Sequence, residues 1–214
     1  MRIGYQLFFE KNAIIDCLLS VYYFLSKMLF QIETKRLLLR DILPDDDKGL
    51  FELDSNPEVH RYLGNQPIQK IEQAQEAIDR IRQQYIDNGI GRWAVIEQSS
   101  GEFIGWSGLK WVTESENKNK PHAYYDVGYR LIPKFWGKGY ATESAKAALT
   151  FGFEQLQVTT IIGTCNENNK ASRKVLEKCG LVFEEKFLYK NELICDWLSI
   201  TKEFWKNGQT EIEN

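Results

Sequence analysis

The chain has 214 residues, of which 43% are apolar and 27% charged, the balance of a globular protein and not of a disordered or fibrous one. At about 150 residues per domain, that length is one domain with an appendage. Thirty acidic against 27 basic residues leave a net charge of −3, which argues against a general grip on nucleic acid, because such binding needs clustered lysine and arginine.

Residues 1–27 stand apart. The apolar run from Ala13 to Leu25 is broken by Asp16 and is shorter than the ~20 residues of a membrane span, and no small-residue cleavage site follows it. It reads as an amphipathic helix docking on the domain, as an interfacial anchor, or as an extension upstream of the true start. Met28, which opens MLFQIETKRLLLR, favours the last. Residues 28–205 are taken as the domain and 206–214 as a polar tail.

Arg36 to Arg40 is an apolar run flanked by charge, a strand. Pro44-Asp45-Asp46-Asp47 supplies an N-cap and an acidic first helical turn, favourable at the positive end of the helix dipole. Leu50, Phe51 and Leu53 continue that helix until Asn56-Pro57 stops it. A second helix spans Ile71 to Asn88, with Ile71, Ala74, Ile78, Ile81 and Tyr85 on one stripe, and Gly89 and Gly91 end it. Trp93–Ile96 and Phe103–Trp106, separated by Ser-Ser-Gly-Glu, form a hairpin. Thr113 to Pro121 is an exposed loop. From Tyr124 to Ile132 the chain alternates, with Tyr125, Val127, Tyr129 and Leu131 on one face and Asp126, Gly128 and Arg130 on the other. After a glycine-containing turn come a helix (Tyr140 to about Phe153), a strand (Thr159–Thr164), a helix (about Asn169–Lys178) and two closing strands (Leu181–Leu188, Leu193–Thr201). This order implies a mixed α/β sheet in one domain. Cys17, Cys165, Cys179 and Cys195 form no C-x-x-C pair, and with only His60 and His122 beside them they read as buried thiols of a reducing compartment and as no metal site.

The segment Pro-Lys-Phe-Trp-Gly-Lys-Gly-Tyr-Ala-Thr-Glu, residues 133–143, joins a strand to a helix. Two glycines two apart permit a tight turn, and N–H groups converging before a helix N-terminus suit a phosphate. A Walker A loop would need Gly where Ile132 stands, and a Rossmann fingerprint would need Gly at Thr142, so neither applies. A helix start with incidental glycines is the other reading of this turn taken alone.

The turn resembles the pyrophosphate-binding motif of the GNAT superfamily of acetyl-CoA-dependent N-acetyltransferases, usually written Q/R-x-x-G-x-G/A. Gly137 and Gly139 are in register, while Lys134 at the Q/R place is a departure. Thr34 to Arg40, Asp126-Val127-Gly128-Tyr129, Gly139 to Glu143, Asn169-Lys170-Ala171-Ser172 and Leu176 to Gly180 are similar to the RimJ/RimL branch, and the similarity covers about Ile32 to Trp205. The resemblance implies a central mixed, largely antiparallel twisted sheet of about six to seven strands flanked by about four helices. It also implies acetyl transfer from acetyl-CoA, without a metal, to a primary amine: a protein N-terminal α-amine such as that of a ribosomal protein, or a small antibiotic, polyamine or amino acid. A non-catalytic acetyl-CoA sensor is the third reading. A cytoplasmic monomer or homodimer without a membrane span is expected.

By the same resemblance, Leu131, Ile132, Lys134, Trp136, Gly137, Lys138, Gly139, Tyr140 and Ala141 hold the cofactor, with Asn169 and Ser172 on its pantetheine arm. Asn169 reads equally as a helix N-cap. Asp126 orients a deprotonating water, binds the ammonium, or is a solvated strand carboxylate. Many superfamily members protonate the thiolate with a Tyr where this chain has Leu176, and Ser172 offers a substitute hydroxyl or a plain helix cap. Glu143 is a first-turn helix stabiliser. His60, Arg61 and Tyr62 are candidates for acceptor contact.

Overall fold

The computed structural model describes residues 30–113, 122–189 and 193–210. The apolar extension, Cys17 and all of the expected loop from Thr113 to Pro121 except Thr113 lie outside them. Strand β1 (Gln31–Glu33) leads into β2 (Leu37–Asp41), where Leu37 and Leu39 alternate into the core with no exposure. A 3-10 turn over Pro44–Asp46 precedes α1 (Asp47–Asp54). Asp46, expected in the acidic first turn of that helix, lies in the 3-10 turn before it, buried and held by the Arg40 guanidinium at 2.7 and 2.8 Å. Asn56-Pro57 ends one helix and starts another. Asn56 accepts the Glu58 N–H at 2.9 Å and Pro57 takes the first position of α2 (Pro57–His60), where its missing N–H costs nothing. Helix α3 (Ile71–Asn88) has the expected bounds, buries Ala74 and Ile78, and ends in left-handed Gly89.

β3 (Arg92–Glu97) and β4 (Glu102–Val112) form the hairpin, with Gly101 at φ +70° in its turn. β5 (Tyr124–Leu131), α4 (Tyr140–Glu154), β6 (Thr160–Asn166), α5 (Lys170–Lys178), β7 (Val182–Tyr189), β8 (Leu193–Thr201) and α6 (Lys202–Thr210) complete the order. The last helix runs past Trp205 into the expected tail.

The eight strands lie in the order β1-β2-β3-β4-β5-β6-β8-β7. The sheet is thus one or two strands wider than expected, and six α-helices are present among the described residues instead of about four. The surplus pieces, such as the three-residue β1 and the one-turn α2, are too short to show any period. From β2 to β7 every neighbour is antiparallel except β5 and β6. That parallel pair meets in register only at Asp126 opposite Ile162, so beyond that point the sheet splits.

The two faces carry different helices. α1 lies over the face of Arg130 and Trp106. α4 and α5 cover the opposite one, where a Cβ on Gly152 would strike Ile161 and Leu109, and one on Gly163 would strike Leu176 and Leu181.

Candidate active site

The turn after β5 presents free amides. Phe135 and Trp136 N–H are spent on the carbonyls of Ile132 and Pro133, and Ile132 N–H on Ile104. From Gly137 to Thr142 no N–H is bonded to another backbone group, the next bond being Glu143 N–H to Gly139 at 3.1 Å. Gly137 and Gly139 sit at φ +75° and +84°, and a Cβ on Gly137 would meet nothing within 4 Å. Six consecutive unpaired donors at the start of a 15-residue helix, with the helix dipole behind them, make this turn a candidate anion seat.

What shapes the seat lies at the far end of the sequence. Glu143 accepts Thr34 Oγ1 at 2.7 Å, Arg36 N–H at 2.9 Å and Arg36 Nε at 2.7 Å, and Arg36 Nη1 reaches the Lys138 carbonyl at 2.9 Å. Arg36 also stacks on Tyr140 at 4.4 Å. These contacts fix the backbone of the turn at Lys138 and the first turn of α4. Burial raises the Glu143 carboxyl, but the bonds from Thr34 and Arg36 outweigh it and hold it below its ordinary value. Lys134 points elsewhere: its ammonium is paired with Glu102 and, at 3.2 Å, Glu52.

The split between β5 and β6 continues from this seat. Because Ile132 N–H bonds back to β4, alternation turns the Leu131 and Tyr129 N–H groups toward β6, where the ladder has ended. The Leu131 carbonyl is occupied by Trp136 Nε1 at 2.7 Å. Across the split, Asn169 caps α5 by accepting the Ser172 N–H at 3.0 Å through Oδ1, leaving Nδ2 as its donor. The Tyr129 hydroxyl donates to the Ser172 carbonyl at 2.8 Å and lies 3.1 Å from Ser172 Oγ. Burial pushes the Tyr129 hydroxyl well up, so it keeps its proton.

On the opposite sheet face Asp126 is no solvated carboxylate. Arg92 binds its Oδ2 and, at 2.7 Å, its carbonyl, as well as the Gly108 carbonyl, while Asp126 Oδ1 is buried without a bond. Burial raises the Asp126 carboxyl and Arg92 opposes the rise. The guanidinium lies across Gly128, where a Cβ would come within 2.6 Å of Nη2, which explains that glycine. Arg130 pairs with Asp54 at 2.6 Å, and His60 Nε2 lies 3.8 Å from the same Asp54 oxygen. Burial, then Arg130, lowers the His60 pKa, so the imidazole is neutral near pH 7. Both guanidinia lie over the Trp106 ring, at 5.4 and 5.0 Å. Tyr62 is half-buried in the turn beyond α2.

The fold thus brings Gly137 to Ala141, Leu131, Asn169 and Ser172 around one seat and split, and places His60 and Asp126 on the other face, linked through Arg92, Trp106, Arg130 and Asp54. Lys134, and the amides of Ile132 and Trp136, are engaged elsewhere. Sequence reasoning gave no role to Arg92, Tyr129 or Asp54. The signal available for the first was Gly128, since a glycine inside a strand marks the close approach of another group.

A family model described as an acetyltransferase (GNAT) domain matches residues 36–182. The FsC-acetyl coenzyme A-N(2)-transacetylase of Aspergillus fumigatus is 32% identical over 187 residues, 83% of this chain and 79% of that protein. The uncharacterized N-acetyltransferase YoaA of Bacillus subtilis is 31% identical over 163 residues, covering 75% and 89%. The crystal structure of a GNAT-family acetyltransferase from Bacillus anthracis superposes with a TM-score of 0.68 at 25% identity, over 81% of this chain and 99% of that one.

Proposed function

The chain belongs to the GNAT family of acetyltransferases and is an N-acetyltransferase; from that premise we propose that it acetylates α-amines, protein N-termini first among them. The observation that carries this reading is the run of six unpaired amides opening onto the β5–β6 split, a seat whose donors and free space fit a diphosphate followed by a narrow arm. Acetyl-CoA supplies an acetyl thioester: the amine nitrogen bonds to its carbonyl carbon, the C–S bond breaks, the amine loses a proton and the thiolate gains one.

This chain's residues divide that work. Gly137 to Ala141 bind the diphosphate through their amides, and Asn169 Nδ2 donates to the pantetheine arm. The Leu131 N–H, facing the split, donates to the pantetheine arm as well. Ser172 Oγ, oriented by the Tyr129 hydroxyl, is the proton donor proposed for sulfur. Asp126 holds the incoming ammonium through Oδ1.

The two buried carboxylates of the acceptor face, Asp126 and Asp54, are each engaged by an arginine, which argues against strong base catalysis by either. That favours an amine of pKa 7.7–8.0, an α-amine, over a lysine or polyamine near 10.4. A small-molecule α-amine is the second reading, supported by the N(2) position in the name of the Aspergillus relative. The free, buried thiols of Cys165, Cys179 and Cys195 suit a reducing compartment, and the cytoplasm is the proposed location.

Coenzyme A release assayed between pH 7 and 9.5 with peptides bearing a free N-terminus, acetyl-capped lysine peptides and spermidine tests the reading. Free N-termini should turn over near pH 7.5 and the others only at the alkaline end. Release confined to spermidine, or none with any amine, refutes it.

A further inference from the structure

A cavity of about 490 Å³ opens at the foot of β5 and β6, and the site described above makes no use of it. Its walls include Trp111, Tyr124, Tyr125 and Trp197, with Ile162 between them. Two of these residues tie it to the acceptor face: Ile162 is the register partner of Asp126, and Tyr124, two residues before Asp126 on β5, shares its side of the sheet. Tyr124 and Trp197 meet edge to face at 4.7 Å, and Trp197 packs on Phe187 in the same way at 5.4 Å, so one aromatic wall continues upward from the cavity.

Among the described residues no carboxylate, lysine or arginine lines the space. An apolar ring or branched chain entering here would lose only contact with water and gain the aromatic wall. The volume lies within the range of small-ligand sites.

We propose that this cavity receives the side chain of the acceptor residue, and that the enzyme selects α-amines carried on an aromatic or large aliphatic residue. The inference rests on the α-amine reading above and adds the substrate class.

The test is kcat/KM of the full chain, from coenzyme A release, for glycinamide, leucinamide, phenylalaninamide, lysinamide and spermidine. Phenylalaninamide and leucinamide should exceed glycinamide by about tenfold or more, a range hydrophobic pockets reach, through KM. Lysinamide should fall below phenylalaninamide, because its polar chain gains less from an aromatic wall. Trp197→Ala should erase the preference. Because that buried ring also supports the fold, Thr160→Trp, an exposed substitution at the cavity rim, is the companion: with an unchanged melting temperature it should cut the phenylalaninamide-to-glycinamide ratio toward one. A flat profile across the α-amines, or a ratio unmoved by Thr160→Trp, overturns the pocket and leaves the α-amine reading standing. Turnover of spermidine alone overturns both.

Discussion

At Gly137 the backbone turns at φ +75° with empty space on the Cβ side, so a substitution there meets strain but no clash. Left-handed backbone costs an L-residue about 1–2 kcal/mol, least for Asn and Asp. Gly137→Asn and Gly137→Asp should therefore fold alike, and only the aspartate sets a negative charge against the diphosphate. Acetyl-CoA at 100 times its Kd stabilises a protein by about 2.7 kcal/mol, roughly 5–10 °C at this size. In thermal melts the asparagine variant should keep part of that shift and the aspartate variant none. Equal shifts in both would remove the anion seat from the turn. Glu143 gives a second expectation at this scale. Its folded pKa is depressed, so its stabilisation is present above the ordinary carboxylate value near 4.5 and is lost as pH falls through the folded one. Glu143→Gln should cost about 1–2 kcal/mol at pH 7 and flatten the acid limb of the stability profile, measured by urea melts from pH 3 to 7.

Among the elements, α5 combines two duties at its N-cap. Asn169 caps the helix with Oδ1, as its position before Lys170 already suggested, and the same side chain offers Nδ2 to the split. Asn169→Asp separates the two, because aspartate caps as well as asparagine but has no donor. The variant should keep its melting temperature while KM for acetyl-CoA rises about fivefold or more. Asn169→Ala should lose about 1 kcal/mol of stability as well. Elements with a long period were legible from sequence: α3 has the expected bounds because its apolar stripe repeats over 18 residues. Residues 56 and 57 were read as a stop and are also a start, since an N-cap followed by proline carries both meanings until packing chooses. The site shows the same division. Gly137 and Gly139 were found by spacing, while the engagement of Lys134 with Glu52 and Glu102 was invisible, because those acids are distant in sequence.

For the whole molecule, Arg92 is the tie. From β3 it bonds the Gly108 carbonyl on β4 and both the carbonyl and carboxylate of Asp126 on β5, just where the sheet begins to split. Both side chains are at most 15% exposed. Removing one charge from such a pair strands the other, at roughly 3–5 kcal/mol. Asp126→Asn should be destabilising on that scale, and Arg92→Met with Asp126→Asn should cost clearly less than the two singles summed, by urea denaturation. Additive costs would mean that the pair does not bear on the split. Loss of activity in Asp126→Asn alone therefore says little about proton transfer until stability has been matched.

The sequence alone determined the order of the longer elements, the glycine-bearing turn before a helix and, through several motifs in series, the family, because periodicity, glycine spacing and helix caps are properties of neighbouring residues. The tertiary structure decided which charges neutralise one another: Glu143 against Arg36, Asp126 against Arg92, Asp54 against Arg130. Those partners lie 107, 34 and 76 residues apart, and no local pattern encodes a Coulomb contact made only when the sheet closes.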